Sequence, residues 1–138
     1  ETSQQGFLNL LNIFTPNMIK DHFGRYITIG TNLFQNPVVP YHDYTAAKGG
    51  LLSITRTAAI DLGQFNITAN MISGGLLKIT DASRGTPTEV FDYIKSITPL
   101  RKVTTTDDFS DAVLFFASPW SRAVTGQNLI VDGGLVLN

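Results

Sequence analysis

Three short runs rich in β-branched and aliphatic residues, each leading into glycine, punctuate a chain whose other apolar residues recur at helical spacing. The runs are Arg25-Tyr26-Ile27-Thr28-Ile29-Gly30, Ile67-Thr68-Ala69-Asn70-Met71-Ile72 with the loop Ser73-Gly74-Gly75-Leu76-Leu77, and Asn128-Leu129-Ile130-Val131-Asp132-Gly133-Gly134. Each reads as a strand that ends in a glycine-containing loop. Strands separated by helical segments call for crossover connections. The order α-β-α-β-α-α-β therefore predicts an α/β layer fold with parallel strands and right-handed crossovers.

The helical segments are read from their apolar period. Over residues 7–18, Phe7, Leu8, Leu10, Leu11, Ile13, Phe14 and Met18 recur at three and four, as in a largely buried helix. Pro16 argues against an unbroken helix there, and Gly24 supplies a stop. Residues 31–41 hold Asn32, Asn36, Pro37 and Pro40 and read as irregular. A second helix is expected from about His42 to Leu62, with a stripe of Ala46, Ala47, Leu51, Ile54, Ala58 and Leu62 and a stop at Gly63. Gly49-Gly50 within it permits close packing by a neighbour. Thr86-Pro87-Thr88-Glu89 reads as a capping box opening a helix to about residue 97. Thr105-Thr106-Asp107-Asp108 repeats the start signal for a helix with Phe109, Ala112, Val113, Phe116 and Ala117 on one face, ended by Pro119. Phe115, Phe116 and Trp120 are expected to pack beneath the last strand.

Composition narrows the function. The 138 residues carry ten basic and eleven acidic side chains, a net charge of -1, which gives no footprint for nucleic acid or an anionic membrane. The absence of cysteine removes disulfides, thiolate metal sites and cysteine nucleophiles. No apolar run reaches the roughly 18 residues of a membrane span, so a soluble cytoplasmic protein of one domain is the expectation. His22 and His42 have no acidic partner at metal-ligand spacing and read as surface residues. Ser53 and Ser73 lack a nucleophile-elbow context, and Asp107 and Asp108 are explained as first-turn capping residues.

Chemistry is concentrated at Tyr44-Thr45-Ala46-Ala47-Lys48, where a phenol and an ammonium four residues apart share one helix face. A nearby positive charge favours a phenolate, so such a pair suits general acid–base work on a carbonyl or alcohol. The same pair taken alone is more often a solvated helix face, and the surrounding sequence decides between the two.

Thr31 stands thirteen positions before Tyr44, at the end of Gly24-Arg25-Tyr26-Ile27-Thr28-Ile29-Gly30-Thr31. With Tyr44 and Lys48 as Y-x-x-x-K, residues 70–77, and the final segment Gly126-Gln127-Asn128-Leu129-Ile130-Val131-Asp132-Gly133-Gly134, nearly the whole chain resembles the C-terminal half of the short-chain dehydrogenase/reductases. Within that family it is most similar to 3-oxoacyl-[acyl-carrier-protein] reductase-like members, which act in fatty acid biosynthesis. The resemblance implies the second half of a doubly wound, Rossmann-like parallel sheet, with three strands and helices on both faces. It implies NAD- or NADP-dependent reduction of a ketone, or the reverse oxidation, by a homo-oligomer acting on a small carbonyl substrate. Tyr44 would be the general acid, Thr31 would hydrogen-bond the substrate oxygen, and Lys48 would serve both the phenol and the nicotinamide ribose. Gly75, Leu77 and Thr80 would join Tyr44 and Lys48 in cofactor contact.

The chain departs from the family pattern in places. Gly74-Gly75 stand where Pro-Gly is usual, Ile79 takes the place of a threonine with Thr80 adjacent, and Ser3 falls at the register of the active-site asparagine. Nothing in the 138 residues supplies the glycine-rich turn that cradles the pyrophosphate. By the resemblance, that cradle and four earlier strands precede Glu1, residues 1–138 form one partial domain, and this chain alone binds no dinucleotide tightly. The alternative is a truncated or remnant half-domain that keeps the family's oligomerising surfaces and does no chemistry.

Overall fold

The computed structural model describes residues 2–78, 80 and 83–138. Its sheet has three parallel strands, β1 (Gly24–Thr31), β2 (Ile67–Gly74) and β3 (Asn128–Ile130), in the order β1-β2-β3. The register pairs Gly24 with Ile67 and Thr31 with Gly74, so β1 and β2 end together. Helix α1 (Thr2–Asp21) precedes the sheet, α2 (His42–Leu62) joins β1 to β2, and α3 (Thr88–Ile97) and α4 (Thr106–Ala117) join β2 to β3. This is the α/β architecture expected from the alternation of periods, with its strand and helix order intact.

All eight residues of β2 are buried, which fits a central parallel strand covered on both faces and explains why it reads as a continuous run rather than an alternating one. On one face Ile67, Ala69 and Met71 pack with Tyr26 of β1, Phe7 of α1, and Leu51, Ala58, Ala59 and Leu62 of α2. Phe7 meets Tyr26 edge to face at 5.6 Å, and the Tyr26 hydroxyl lies 2.7 Å from Thr15 Oγ1, so a buried phenol still has a partner. Thr28 and Thr55 hydroxyls share a 2.8 Å bond between β1 and α2. On the other face Phe109 of α4 approaches Gly74, and Arg25 reaches the Ser118 carbonyl after α4.

Several local expectations are corrected. Helix α1 runs through Pro16 and is longer than its apolar run, because Phe7 and Leu11 before the proline and Met18 and Ile19 after it all pack on the core. It is not largely buried: Phe7 is covered, but Leu8, Leu10, Ile13 and Phe14 face outward. The left-handed residue that ends it is His22, at φ 51°, and not Gly24, which is already in β1. Gly63 likewise is right-handed and continues into a 3-10 turn, and Asn66 at φ 61° makes the stop. Asparagine tolerates that conformation well.

At α2 the buried set is Leu51, Thr55, Ala58, Ala59 and Leu62, while Ala46 is exposed. Of the glycine pair, only Gly50 meets a neighbour, Gln4, whose amide donates to the Ala47 carbonyl at 3.1 Å. Thr86 does not cap α3. Pro87 is extended, at ψ 148°, and is itself the N-cap, which moves the helix start one residue on and takes Glu89 out of the third position. The Thr105–Asp108 capping box forms as expected. Of the three aromatic residues expected beneath the last strand only Phe116 is buried, on a helix that packs mainly against β1 and β2; Phe115 and Trp120 are exposed, Trp120 by 81 %. No helix among the described residues is long and apolar enough to cross a membrane.

Candidate active site

The carboxyl ends of the three strands converge on one side of the sheet, where open α/β folds bind ligands. Thr31 closes β1 and is buried. Its backbone is extended, at φ -143°, and its Oγ1 accepts from the Leu33 amide at 3.3 Å, capping a 3-10 turn over Asn32–Phe34. Its own hydroxyl proton has no acceptor among the described residues, so the group remains free to donate.

Tyr44 and Lys48 lie in the first turns of α2, which carry them toward the same strand end. Lys48 Nζ donates to the Ile29 carbonyl at 3.0 Å, two residues before Thr31, and sits 6.0 Å from the centroid of the Tyr44 ring. Burial pushes the Lys48 ammonium below the usual lysine value. Tyr44 is 45 % exposed and packs edge to face with Tyr41 at 6.5 Å, which leaves its phenol open to a ligand. The Lys48 bond to Ile29 thus ties the helix that carries the phenol to the strand that carries the hydroxyl.

The other expected residues lie on the loop leaving β2. Gly75 comes against Asn32: a β-carbon there would lie 2.9 Å from Asn32 Nδ2, so the position needs glycine for close approach rather than for a left-handed turn. Leu77 is half-buried with no polar contact. Thr80 and Ser83 bond each other, the Ser83 amide donating to Thr80 Oγ1 at 3.0 Å and the Thr80 amide to Ser83 Oγ at 3.1 Å. Thr80 lines a cavity of about 550 Å³ with Lys78, Phe91 and Asp92, a lining that includes neither Tyr44 nor Lys48. Ile79 lies outside the described residues, and Ser3 is exposed on α1. The structure therefore ties Lys48, and with it the helix of Tyr44, to the strand that ends in Thr31, sets Gly75 against Asn32 just after Thr31, and puts Thr80 in a separate hollow.

Two buried residues went unnoticed in the sequence. Asn32 Nδ2 donates to Asp132 Oδ2 at 3.0 Å, and the same carboxylate accepts from the Val136 amide at 3.1 Å and, through Oδ1, from Gly134 at 3.1 Å. The only signal was the Asp132-Gly133-Gly134 turn, since an aspartate before two glycines is a ready acceptor for its own turn amides.

A three-stranded parallel sheet flanked by helices, with the helix that bears Tyr44 and Lys48 tied to β1 near its carboxyl end, is the arrangement of half of a doubly wound α/β fold. Residues 1–136 match the family model described as Enoyl-(Acyl carrier protein) reductase. The chain belongs to the short-chain dehydrogenase/reductase family and corresponds to its C-terminal half. It is 30% identical to a 3-oxoacyl-[acyl-carrier-protein] reductase of Buchnera aphidicola over 94% of this chain and 55% of that protein. It is 33% identical to the 7alpha-hydroxysteroid dehydrogenase of Escherichia coli over 93% of this chain and 50% of that one. Among solved structures, a gluconate 5-dehydrogenase from Burkholderia cenocepacia in complex with NADP and tartrate superimposes with a TM-score of 0.85 at 28% identity, covering 96% of this chain and 52% of that chain. A 3-oxoacyl-[acyl-carrier protein] reductase from Brucella melitensis gives 0.86 at 27% identity, over 99% and 51%. The chain spans about half the length of the relatives it matches.

Proposed function

We propose that the chain carries the acid–base half of an NAD(P)-dependent reductase that interconverts a ketone of the 3-oxoacyl type and its alcohol. The observation that supports this reading is the Lys48 bond to Ile29, which ties the helix that carries Tyr44 to the strand that ends in Thr31. The resident residues fit the nicotinamide side of a dinucleotide in one respect: the half-buried Lys48 ammonium suits a ribose hydroxyl. No residue of the chain fits the pyrophosphate, for want of a glycine-rich turn. When bound, a nicotinamide cofactor supplies the hydride.

The protein's own part is protonic. Tyr44 Oη gives its proton to the carbonyl oxygen as negative charge develops there, and Thr31, whose oxygen is already turned toward the Leu33 amide, donates its hydroxyl hydrogen to the same oxygen. Lys48 holds α2 against β1 and favours the phenolate left behind. Activity on 3-oxoacyl thioesters is supported by the Buchnera and Brucella relatives, and NADP by the Burkholderia complex. Cytoplasmic location and assembly with further copies belong to the same reading.

The test is Tyr44→Phe in the holoenzyme, with NADPH and NADH as alternative reductants and a 3-oxoacyl thioester as substrate. The ring still packs on Tyr41 while the transferable proton is gone, so turnover falls by about 10²–10⁴-fold with the thermal midpoint unchanged. Undiminished turnover in that variant rules the assignment out.

A further inference from the structure

The carboxyl ends of all three strands are joined through a single side chain. Asn32 follows Thr31 directly, donates to Asp132 just beyond β3, and fills the space beside Gly75 just beyond β2. Asn32 and Asp132 are both buried, at 6 % and 5 % exposure. A buried carboxylate needs its acceptor sites filled, and Asp132 has Asn32 Nδ2 and the Gly134 and Val136 amides. Those backbone donors fix the carboxylate to the turn after β3, and that turn is anchored in its own right by the Leu100 amide donating to the Gly133 carbonyl at 3.1 Å. Asn32 is consequently held from a rigid base. It is also the first residue of the 3-10 turn whose Leu33 amide bonds to Thr31 Oγ1.

We infer that Asn32 is a positioning residue of the site: by bonding Asp132 it fixes the turn that orients the Thr31 hydroxyl, and by abutting Gly75 it sets the distance between that hydroxyl and the loop after β2. This rests on the reading of Thr31 as the donor to the substrate oxygen. A buried pair that served only to fill Asp132 would stabilise the C-terminal turn and leave Thr31 indifferent. A positioning pair makes the two neighbouring residues one unit.

The discriminating measurement is hydrogen exchange at the Leu33 amide in the holoenzyme, which reports the Thr31 Oγ1 contact without reference to catalysis. Asn32→Ala is expected to speed exchange at Leu33 by about tenfold or more while leaving mid-strand amides such as Thr28 and Ala69 unchanged. On the carbonyl substrate, kcat should fall about ten- to a hundredfold, as for a group displaced by about an ångström, with KM changed less than about twofold. The double variant Thr31→Ala with Asn32→Ala should be no slower than Thr31→Ala alone, since the two act through one hydroxyl. Should Asn32→Ala fold poorly, Asn32→Leu removes the same donor at nearly the same volume, and it should speed Leu33 exchange and lower kcat by similar factors. Unaltered Leu33 exchange in the variant that folds, or fully multiplicative losses in the double variant, overturns the inference. If instead Leu33 exchange responds while Thr31→Ala retains full turnover, the positioning stands and the role given to Thr31 is what fails.

Discussion

Single side chains in this molecule are mostly explained by what they leave unsatisfied. Thr68 on β2 is buried, and its Oγ1 is the one buried side-chain oxygen among the described residues without a hydrogen-bond partner. Its neighbours on the strand show the alternative: Asn70 is also buried, yet its amide donates to the Val124 carbonyl at 2.9 Å and its oxygen accepts from Gln127 at 3.0 Å. A lone buried hydroxyl costs about 1–3 kcal/mol, whereas valine has the same shape and nothing to satisfy. Thr68→Val is therefore expected to stabilise the fold by about 1 kcal/mol, read as a higher denaturant midpoint at constant slope. Asn70→Leu should do the opposite, because it strips partners from backbone groups that remain buried.

At the scale of elements, the two N-terminal signals for α3 and α4 look alike in sequence and end differently. In α4 the Thr105 amide donates to Asp108 Oδ2 at 2.9 Å and the Asp108 amide to Thr105 Oγ1 at 3.2 Å. The Lys102 ammonium, 2.6 Å away, and the Thr105 amide together hold the Asp108 carboxyl down to about 2, from an ordinary 3.8. A carboxyl held down in the folded state contributes stability above its unfolded value and loses it as pH falls through the folded one. The contribution of Asp108 is accordingly full above about pH 4 and fades toward pH 2, and Asp108→Asn should flatten that limb of a thermal midpoint against pH profile. In α3 the proline won: its extended backbone made it the cap and displaced Thr86. The element order, the parallel sheet and the spacing of Thr31, Tyr44 and Lys48 were legible because period and spacing survive packing. Helix ends were not, since His22 and Asn66 took the left-handed roles expected of Gly24 and Gly63. The Asn32–Asp132 bond was illegible for another reason, as its partners stand a hundred residues apart.

At the scale of the whole molecule, large apolar side chains stand in solvent on two neighbouring helices. Leu10, Ile13 and Phe14 of α1 and Ile60 of α2 all stand exposed, and a groove of about 500 Å³ between those helices is lined by Leu8, Leu11, Ile19, Ile54 and Leu62. β1 is also an edge strand of the sheet among the described residues. Patches of this kind mark contact surfaces. The 138-residue chain is expected to scatter light as a species heavier than its 15.1 kDa at micromolar concentration, and Ile13→Lys with Phe14→Lys should shift it toward the monomer. A monodisperse monomer before substitution would contradict this.

The exposed Trp120 has a practical corollary. It is the chain's only indole and stands in solvent just after α4, in a protein with no second tryptophan to mask it. Its emission in the native state should already resemble that of a free indole in water, so unfolding will scarcely redden the spectrum. A blue shift would report another surface closing over the α4–β3 connection, and the fluorescence of this molecule is consequently a gauge of assembly rather than of folding.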